Sequence, residues 1–126
     1  MTKHEINDKD ILALFEQWNS ALQTGLPSEV VALYCQDAVL LPTISNDVRR
    51  SHSEIEDYFE LFLARKPVGK IDQCSVRLHG DIAINSGVYT FSFDNEPDVQ
   101  ARFTFVYRNT GNRWMIIEHH SSQMPE

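Results

Sequence analysis

The sequence is poor in the features that mark several classes of protein. It has only two cysteines, five glycines and five prolines in 126 residues, which excludes a disulfide-stapled scaffold and a collagen-like or low-complexity chain. No apolar run approaches the roughly 20 residues that span a bilayer. The first ten residues also lack the apolar core of a signal peptide. We therefore expect a cytoplasmic protein that does not enter a membrane.

Positive charge is scarce as well. The chain has 11 Lys and Arg against 18 Asp and Glu, for a formal net charge of -7, so we expect no nucleic acid as a partner.

Cys35 and Cys74 lie far apart in apolar surroundings, which favours reduced thiols packed as small hydrophobic groups over a single bridge. The Gly-rich loop, strand lysine and catalytic-loop motif that phosphoryl transfer requires are missing from these 126 residues.

The front half of the chain has helical periodicity. From Asp8 or Asp10 onwards, apolar residues recur at spacings of three and four until Gly25, which predicts an amphipathic first helix. The segment S-E-V-V-A-L-Y repeats this pattern over two turns, and we expect a short second helix there with Ser28 as its N-cap. A short buried strand follows in D-A-V-L-L-P-T, and then a polar loop or a brief hairpin partner.

A third helix and a β-rich back half complete the chain. Ser53 and Glu56 have the spacing of a capping box, and the apolar stripe that follows ends before Pro67. Four segments rich in β-branched and aromatic residues come next, separated by turn-forming residues, and they predict an antiparallel meander. These segments are 68–78, 81–93, 99–108 and 113–122. Helices followed by a meander indicate one α+β domain over residues 1–126.

Six runs, taken in order, resemble a known family. The chain resembles small bacterial proteins related to the association domain of calcium/calmodulin-dependent protein kinase II, in the nuclear transport factor 2-like, SnoaL-like superfamily, from about Ile11 to Pro125. The resemblance implies a cone-shaped fold in which three helices pack on a curved antiparallel sheet, with a pocket at the wide end. This superfold hosts isomerases, dehydratases, cyclases, binding proteins and oligomerisation modules, so it does not imply one activity. The runs are W-N-S-A-L-Q-T-G, D-A-V-L-L-P-T, I-E-D-Y-F-E-L-F-L, N-S-G-V-Y-T-F, T-F-V-Y-R and W-M-I-I-E-H-H-S-S.

The resemblance also gives expectations for the pocket. The kinase association domain has three arginines in its pocket, and the equivalent positions in this chain are Asn85, Phe105 and Ser121, none of them basic. We therefore expect no carboxylate or phosphate site by analogy. Strand alternation places Met115, Ile117, His119 and Ser121 on one face of the last strand, and the resemblance turns that face inward. The expected pocket residues are Asn85, Tyr89, Phe105, Tyr107, His119 and Ser121, with Trp18 and Tyr58 on the opposite wall.

His119 is the candidate general acid or base, because an imidazole titrates near neutral pH. The alternative is that His119 and Ser121 only satisfy each other and backbone groups at the end of a sheet. A nucleophilic triad has little support, because no acidic residue is placed to orient the imidazole. His119 and the adjacent His120 point to opposite faces, so the sequence predicts no metal site, and no cofactor is expected.

The outer face of the sheet is expected to carry an apolar stripe with no helix over it. A two-fold homodimer is the simplest cover for such a stripe, and a larger ring is the alternative. Two functions stay open: a pocket that binds or acts on a small organic molecule by acid–base chemistry, and a non-enzymatic homo-oligomerisation module with a vestigial pocket. The stripe consists of Val88, Thr104, Val106, Trp114 and Ile116.

Overall fold

The computed structural model describes residues 7–43 and 45–125 of the chain. The first half of this part contains the three helices and one strand, and the second half contains four strands. The predicted α+β class and the packing of helices on a curved sheet are confirmed. The elements are α1 (Asp8–Gln23), α2 (Pro27–Val31), β1 (Tyr34–Leu41), α3 (His52–Leu63), β2 (Val68–His79), β3 (Ile82–Phe93), β4 (Glu96–Asn109) and β5 (Trp114–Gln123).

Helix α1 starts where the sequence predicts and buries one apolar stripe. The Asn7 side chain accepts hydrogen bonds from the backbone N–H groups of Lys9 and Asp10, and the Asp10 carboxylate accepts one from the Asn7 N–H. This reciprocal capping satisfies donors that the first helical turn leaves unpaired. The stripe of α1 packs into the core, and full burial stabilises the fold by about 1.5–3 kcal/mol for each large apolar side chain. Its apolar members are Ile11, Phe15, Trp18 and Leu22.

The caps of the other two helices differ from the prediction. Helix α2 begins at Pro27 with Leu26 as its N-cap, so Ser28 lies inside the helix. A proline suits this first position because its fixed φ is already helical and its missing N–H is not needed there. Helix α3 is capped by Ser51, which accepts from the Glu54 N–H, rather than by Ser53. The same S-x-x-E spacing occurs at both places, so the motif alone does not select one of them.

The sheet has the strand order β1-β5-β4-β3-β2. Strands β2 to β5 form the predicted antiparallel meander. Strand β1 adds to the edge of β5 in parallel, with Leu40 opposite His119. It also begins at Tyr34, a residue that the sequence pattern assigned to the second helix. The Ile116 N–H donates to the Leu33 carbonyl at 2.9 Å and fixes this early start of the strand.

A β-bulge interrupts the pairing of β4 with β5. Val106 pairs with Glu118, but the next residue, Tyr107, pairs with Ile116. Ile117 is therefore an extra residue on β5, and such an insertion reverses the facing of the residues on one side of it.

Because of the bulge, the side chains in the first half of β5 face the opposite way from the prediction. Ile116 is only 1% exposed in the core, and Trp114 lines a small inner cavity. The prediction that Trp114 and Ile116 face outward was therefore wrong. These two side chains take the inward positions that were predicted for Met115 and Ile117. Beyond the bulge, His119 is buried on the face that the resemblance turns inward.

Gly87 lies where β3 approaches the irregular part of β2 most closely. A Cβ atom on Gly87 would lie 2.0 Å from the carbonyl oxygen of Gln73 and 2.7 Å from the Cα of Cys74. Only a glycine fits this close approach between backbones. Cys74 and Cys35 are both free thiols, as predicted. No helix in the described part of the chain is long and apolar enough to cross a membrane.

Candidate functional site

A cavity opens between helices α1 and α3 and the inner face of the sheet. Its volume is about 60 Å³, small beside the roughly 300–1,000 Å³ of sites for drug-sized ligands. Aromatic rings form most of its wall, and a few hydroxyl groups lie at one side. It is lined by Trp18, Leu40, Thr43, Tyr58, Phe59, Phe62, Arg65, Tyr89, Phe91, Val99, Ala101, His119 and Ser121.

The structure brings five of the eight predicted pocket residues to this cavity. Trp18 comes from the buried stripe of α1, and Tyr58 comes from α3 on the opposite side of the mouth. The sheet contributes Tyr89 from β3 and both His119 and Ser121 from β5. The period of two along each strand puts these side chains on one face.

The other three predicted residues lie behind or beside the cavity wall. Phe105 is fully buried, and its ring stacks on the imidazole of His119 with centroids 4.0 Å apart and planes inclined by 16°. Tyr107 lines the small inner cavity beside Trp114. Asn85 is fully buried, and neither its amide nitrogen nor its amide oxygen has a hydrogen-bond partner within the described ranges.

A chain of buried hydrogen bonds starts at the indole of Trp18. The Nε1–H of Trp18 donates to the Tyr34 hydroxyl oxygen at 3.1 Å, and that oxygen lies 2.9 Å from Nδ1 of His119. Tyr34 is fully buried, so its own hydrogen needs an acceptor. Nδ1 is the acceptor within reach, and Tyr34 therefore donates to it. A neutral imidazole that accepts at Nδ1 carries its hydrogen on Nε2.

The chain continues from the other ring nitrogen to the cavity. Nε2–H of His119 donates to the Tyr89 hydroxyl oxygen at 3.3 Å, and Tyr89 donates to Oγ of Ser121 at 2.7 Å. The hydroxyl of Thr43 also donates to Ser121 Oγ, at 2.6 Å. The five side chains from Trp18 to Ser121 thus donate in one direction along the series, and Thr43 donates to Ser121 from the other side.

Burial keeps this chain uncharged. Desolvation of the buried ring, with a smaller contribution from the nearby His120, lowers the pKa of His119 to about 3. Desolvation also raises the pKa of Tyr34 and the pKa of Tyr89 above their ordinary value. The imidazole is therefore neutral at pH 7, and both of its nitrogens are engaged.

The mouth of the cavity holds a cation that sequence reasoning missed. Arg65 lines the cavity, and its guanidinium forms an ion pair with Glu96 at 2.9 Å and stacks over Phe93 with 4.0 Å between Cζ and the ring centroid. The backbone N–H of Asp94 donates to the Arg65 carbonyl at 3.1 Å. These contacts connect the end of α3 to the β3–β4 hairpin. Tyr58 lines the same cavity as Arg65, and burial raises the pKa of the Tyr58 hydroxyl to about 12.

Tyr34 and Thr43 were missed for identifiable reasons. Tyr34 ends a run with helical spacing, so its place at the start of a strand was hidden. Thr43 lies just after β1, and the pairing of β1 with β5 that brings it to Ser121 depends on the tertiary fold. Within residues 7–43 and 45–125, no group of three His, Cys, Asp or Glu side chains is arranged to hold a metal ion.

The comparisons with known proteins decide the family. The profile described as the calcium/calmodulin dependent protein kinase II association domain matches residues 7–125. The chain belongs to this family. A protein from Xanthomonas campestris assigned to the same association domain is 51% identical, with a TM-score of 0.92, and the match covers 97% of this chain and 91% of that one. The search of curated proteins found no match.

More distant structures share the fold of this association domain. A nuclear transport factor 2-like protein of unknown function from Pseudomonas putida is 22% identical, with a TM-score of 0.82 and coverage of 94% and 87%. A Streptomyces avermitilis member of the same superfamily, for which a dehydratase activity has been suggested, is 16% identical, with a TM-score of 0.80 and coverage of 94% and 96%. At these identities the similarity shows the fold alone.

Proposed function

We propose that the protein binds a small uncharged organic molecule in the cavity between α1, α3 and the sheet. The observation that supports this most is the ordered chain of buried hydrogen bonds that ends at the cavity wall on Ser121. Aromatic walls with a few convergent polar groups are the usual profile of a small-molecule site. A scaffold alone has no need for such an arrangement.

Charge favours a neutral ligand. Among the described residues of the cavity wall, Arg65 is the one that carries a charge, and Glu96 already neutralises its guanidinium. The positions equivalent to the kinase domain's arginines hold Asn85, Phe105 and Ser121. A buried carboxylate or ammonium group without a partner would carry a large desolvation cost. An uncharged molecule of a few non-hydrogen atoms avoids that cost.

The role of His119 follows from its bonds. We propose that the neutral imidazole first serves as a relay, because Nδ1 accepts from Tyr34 and Nε2–H donates to Tyr89. Direct acid–base chemistry by His119 stays a prediction. It would require a substrate to displace Tyr89 from Nε2 and the imidazole to bind a proton despite a pKa of about 3.

Ligand binding is tested by filling the cavity. Ala101 is buried in its wall, and Ala101→Leu places three more carbon atoms there. We expect wild-type protein to gain thermal stability with members of a panel of neutral organic fragments, and Ala101→Leu to lose that gain. The matched control is Ala32→Leu, because Ala32 is exposed after α2. A panel with no effect on the wild-type protein would refute the proposal.

A second candidate is homo-oligomerisation through the outer face of the sheet. Val88, Thr104 and Val106 are half-buried there and alternate with side chains that point into the core. We propose that a second copy covers this face as a two-fold homodimer, with a larger ring as the alternative. Thr104→Glu should then convert a dimer to a monomer in light scattering, whereas Gln23→Glu at the exposed end of α1, away from this face, should not. A wild-type monomer at micromolar concentration would refute this candidate.

A further inference from the structure

The hydrogens of the buried chain can be counted one by one. A hydroxyl group has one hydrogen to donate and two lone pairs that accept. Ser121 Oγ accepts from Tyr89 at 2.7 Å and from Thr43 at 2.6 Å, so both of its lone pairs are in use. Ser121 makes no further hydrogen bond within the described ranges. Its own hydrogen is therefore left to donate, and the side chain lies in the cavity wall.

The direction of the chain does not depend on Ser121 alone. If every bond were reversed, the fully buried hydroxyl of Tyr34 would have no acceptor for its hydrogen, because its oxygen already accepts from Trp18. A buried donor without an acceptor costs about 1–3 kcal/mol. The chain is therefore fixed in one direction from Trp18 to Ser121. Hydrogen bonds in a series polarise one another, which makes the final O–H a stronger donor.

We infer that the ligand is an apolar molecule with a carbonyl oxygen, and that Ser121 donates a hydrogen bond to this oxygen. The inference rests on the proposed ligand-binding function and names the chemical class that this site accepts. An oxygen with lone pairs and no hydrogen fits a site whose Ser121 hydroxyl can only donate. A ligand that has only an N–H or O–H group to offer meets no free lone pair on Ser121.

The surroundings of Ser121 fit the hydrocarbon part of such a molecule. The rings of Trp18, Phe59 and Phe91 and the methyl group of Ala101 lie in the same wall, and all four residues are at most 6% exposed. A ketone or a lactone would bury its apolar atoms against these rings. The hydrogen bond to Ser121 would fix the orientation of its carbonyl group.

The test compares two molecules of the same shape. A series of cyclic ketones is paired with the corresponding methylene-cycloalkanes, for example cyclohexanone with methylenecyclohexane, in which a CH₂ group replaces the carbonyl oxygen. We expect each ketone that binds wild-type protein to bind about tenfold more tightly than its partner, the factor for one good hydrogen bond of about 1.4 kcal/mol. In NMR, the carbonyl carbon of ¹³C-labelled cyclohexanone should also resonate further downfield when bound to wild-type protein than when bound to a variant that lacks the Ser121 donor.

The variants must remove the donor without creating another. Ser121→Ala alone frees the hydroxyl of Tyr89, which could then donate to the ketone. Thr43 loses its acceptor in the same way, and Tyr89→Phe frees Nε2–H of His119, which also lines the cavity. We therefore compare the double variant Thr43→Val/Tyr89→Phe, which keeps Ser121, with the triple variant Thr43→Val/Tyr89→Phe/Ser121→Ala. The freed Nε2–H is common to both, so we expect the preference for ketone over alkene to be about tenfold smaller in the triple variant, with the ¹³C resonance of the bound carbonyl further upfield. Ser122→Ala is the matched control, because Ser122 is the next residue on β5 and points away from the cavity. Thermal unfolding shows whether each variant is folded.

The outcomes separate the inference from the proposed function. Equal binding of ketones and alkenes to wild-type protein would overturn the carbonyl inference and leave a neutral-ligand pocket in place. A ketone preference of equal size in the folded double and triple variants would also overturn it. If no member of either series binds, both the inference and the proposed function are refuted. A ketone preference that falls from the double to the triple variant and that Ser122→Ala keeps supports both.

Discussion

The Tyr34 hydroxyl donates to Nδ1 of His119 across 2.9 Å and joins the first strand of the sheet to the last. The same oxygen accepts from the indole of Trp18 in helix α1. One buried hydroxyl thus connects three elements and fixes the tautomer of the histidine. The tautomer in turn determines which hydrogen faces the cavity, so a contact in the core sets the chemistry of the site.

The first prediction concerns this contact. Tyr34→Phe leaves the Trp18 N–H without an acceptor and His119 Nδ1 without a donor, which should lower the free energy of unfolding by about 1–3 kcal/mol. Chemical denaturation measures the change. Tyr58→Phe is the matched control, because the Tyr58 hydroxyl has no hydrogen-bond partner among the described residues. Equal losses in the two variants would contradict the importance of the Tyr34 bond.

The second prediction concerns pH. His119 has an ordinary pKa of 6.5 when unfolded and a pKa of about 3 when folded. The unfolded chain therefore binds more protons between these values, and stability falls as pH falls from 6.5 towards 3. The slope from this residue is at most about 1.4 kcal/mol per pH unit, and it vanishes above roughly pH 7.

The pH prediction is checked by comparing the wild-type protein with His119→Gln. Carboxylates titrate in both proteins over the same range, so the difference between their denaturation curves isolates His119. We expect the variant to lack the slope, while His79→Gln at the exposed end of β2 keeps it. Parallel curves for wild type and His119→Gln would show that the imidazole is not buried in its neutral form.

The third prediction concerns Gly87. An alanine there would place Cβ 2.0 Å from the Gln73 carbonyl oxygen, and a backbone atom cannot turn aside as a side chain can. We expect Gly87→Ala to lower the free energy of unfolding by about 1–3 kcal/mol or more, the range for overpacking. Gly25→Ala is the comparison, because Gly25 has a φ of 73° but nothing within 4 Å of its Cβ position. It should lose about 1 kcal/mol through backbone strain alone. A smaller loss at Gly87 than at Gly25 would count against the close approach of β2 and β3.

The fourth prediction concerns the mouth of the cavity. Glu96→Gln weakens the ion pair that holds Arg65 between α3 and the β3–β4 hairpin. Both side chains are partly exposed, so stability should change by less than about 1 kcal/mol. We expect cyclohexanone to enter and leave several times faster, as measured by NMR exchange. Lys66→Gln, which alters the longer 4.0 Å contact with Asp94, should leave the exchange rates unchanged. Unchanged rates in Glu96→Gln would show that this pair does not control access.

Some features of the site followed from local pattern. Period two grouped His119 with Ser121 on one face of β5, and the resemblance to the family turned this face and the face of β3 that carries Tyr89 inward. Period 3.6 along α1 placed Trp18 on the apolar stripe of that helix. The bulge at Ile117 had no signal in the sequence, because its apolar run permits either facing. Tyr34 was assigned to a helix because S-E-V-V-A-L-Y keeps helical spacing to its last residue.

The sequence by itself determined the class of fold and the order of helices and strands, because these depend on periodicity and turn chemistry within short segments. The period of two also grouped His119 with Ser121, and the resemblance to the family turned their face inward. Only the tertiary structure decided that β1 pairs with β5 and that Tyr34 and Thr43 meet His119 and Ser121. These contacts join residues more than 70 positions apart. The direction of the hydrogen-bond chain, and with it the donor offered to a ligand, depends on that pairing because each buried hydroxyl takes its orientation from the partners that packing supplies.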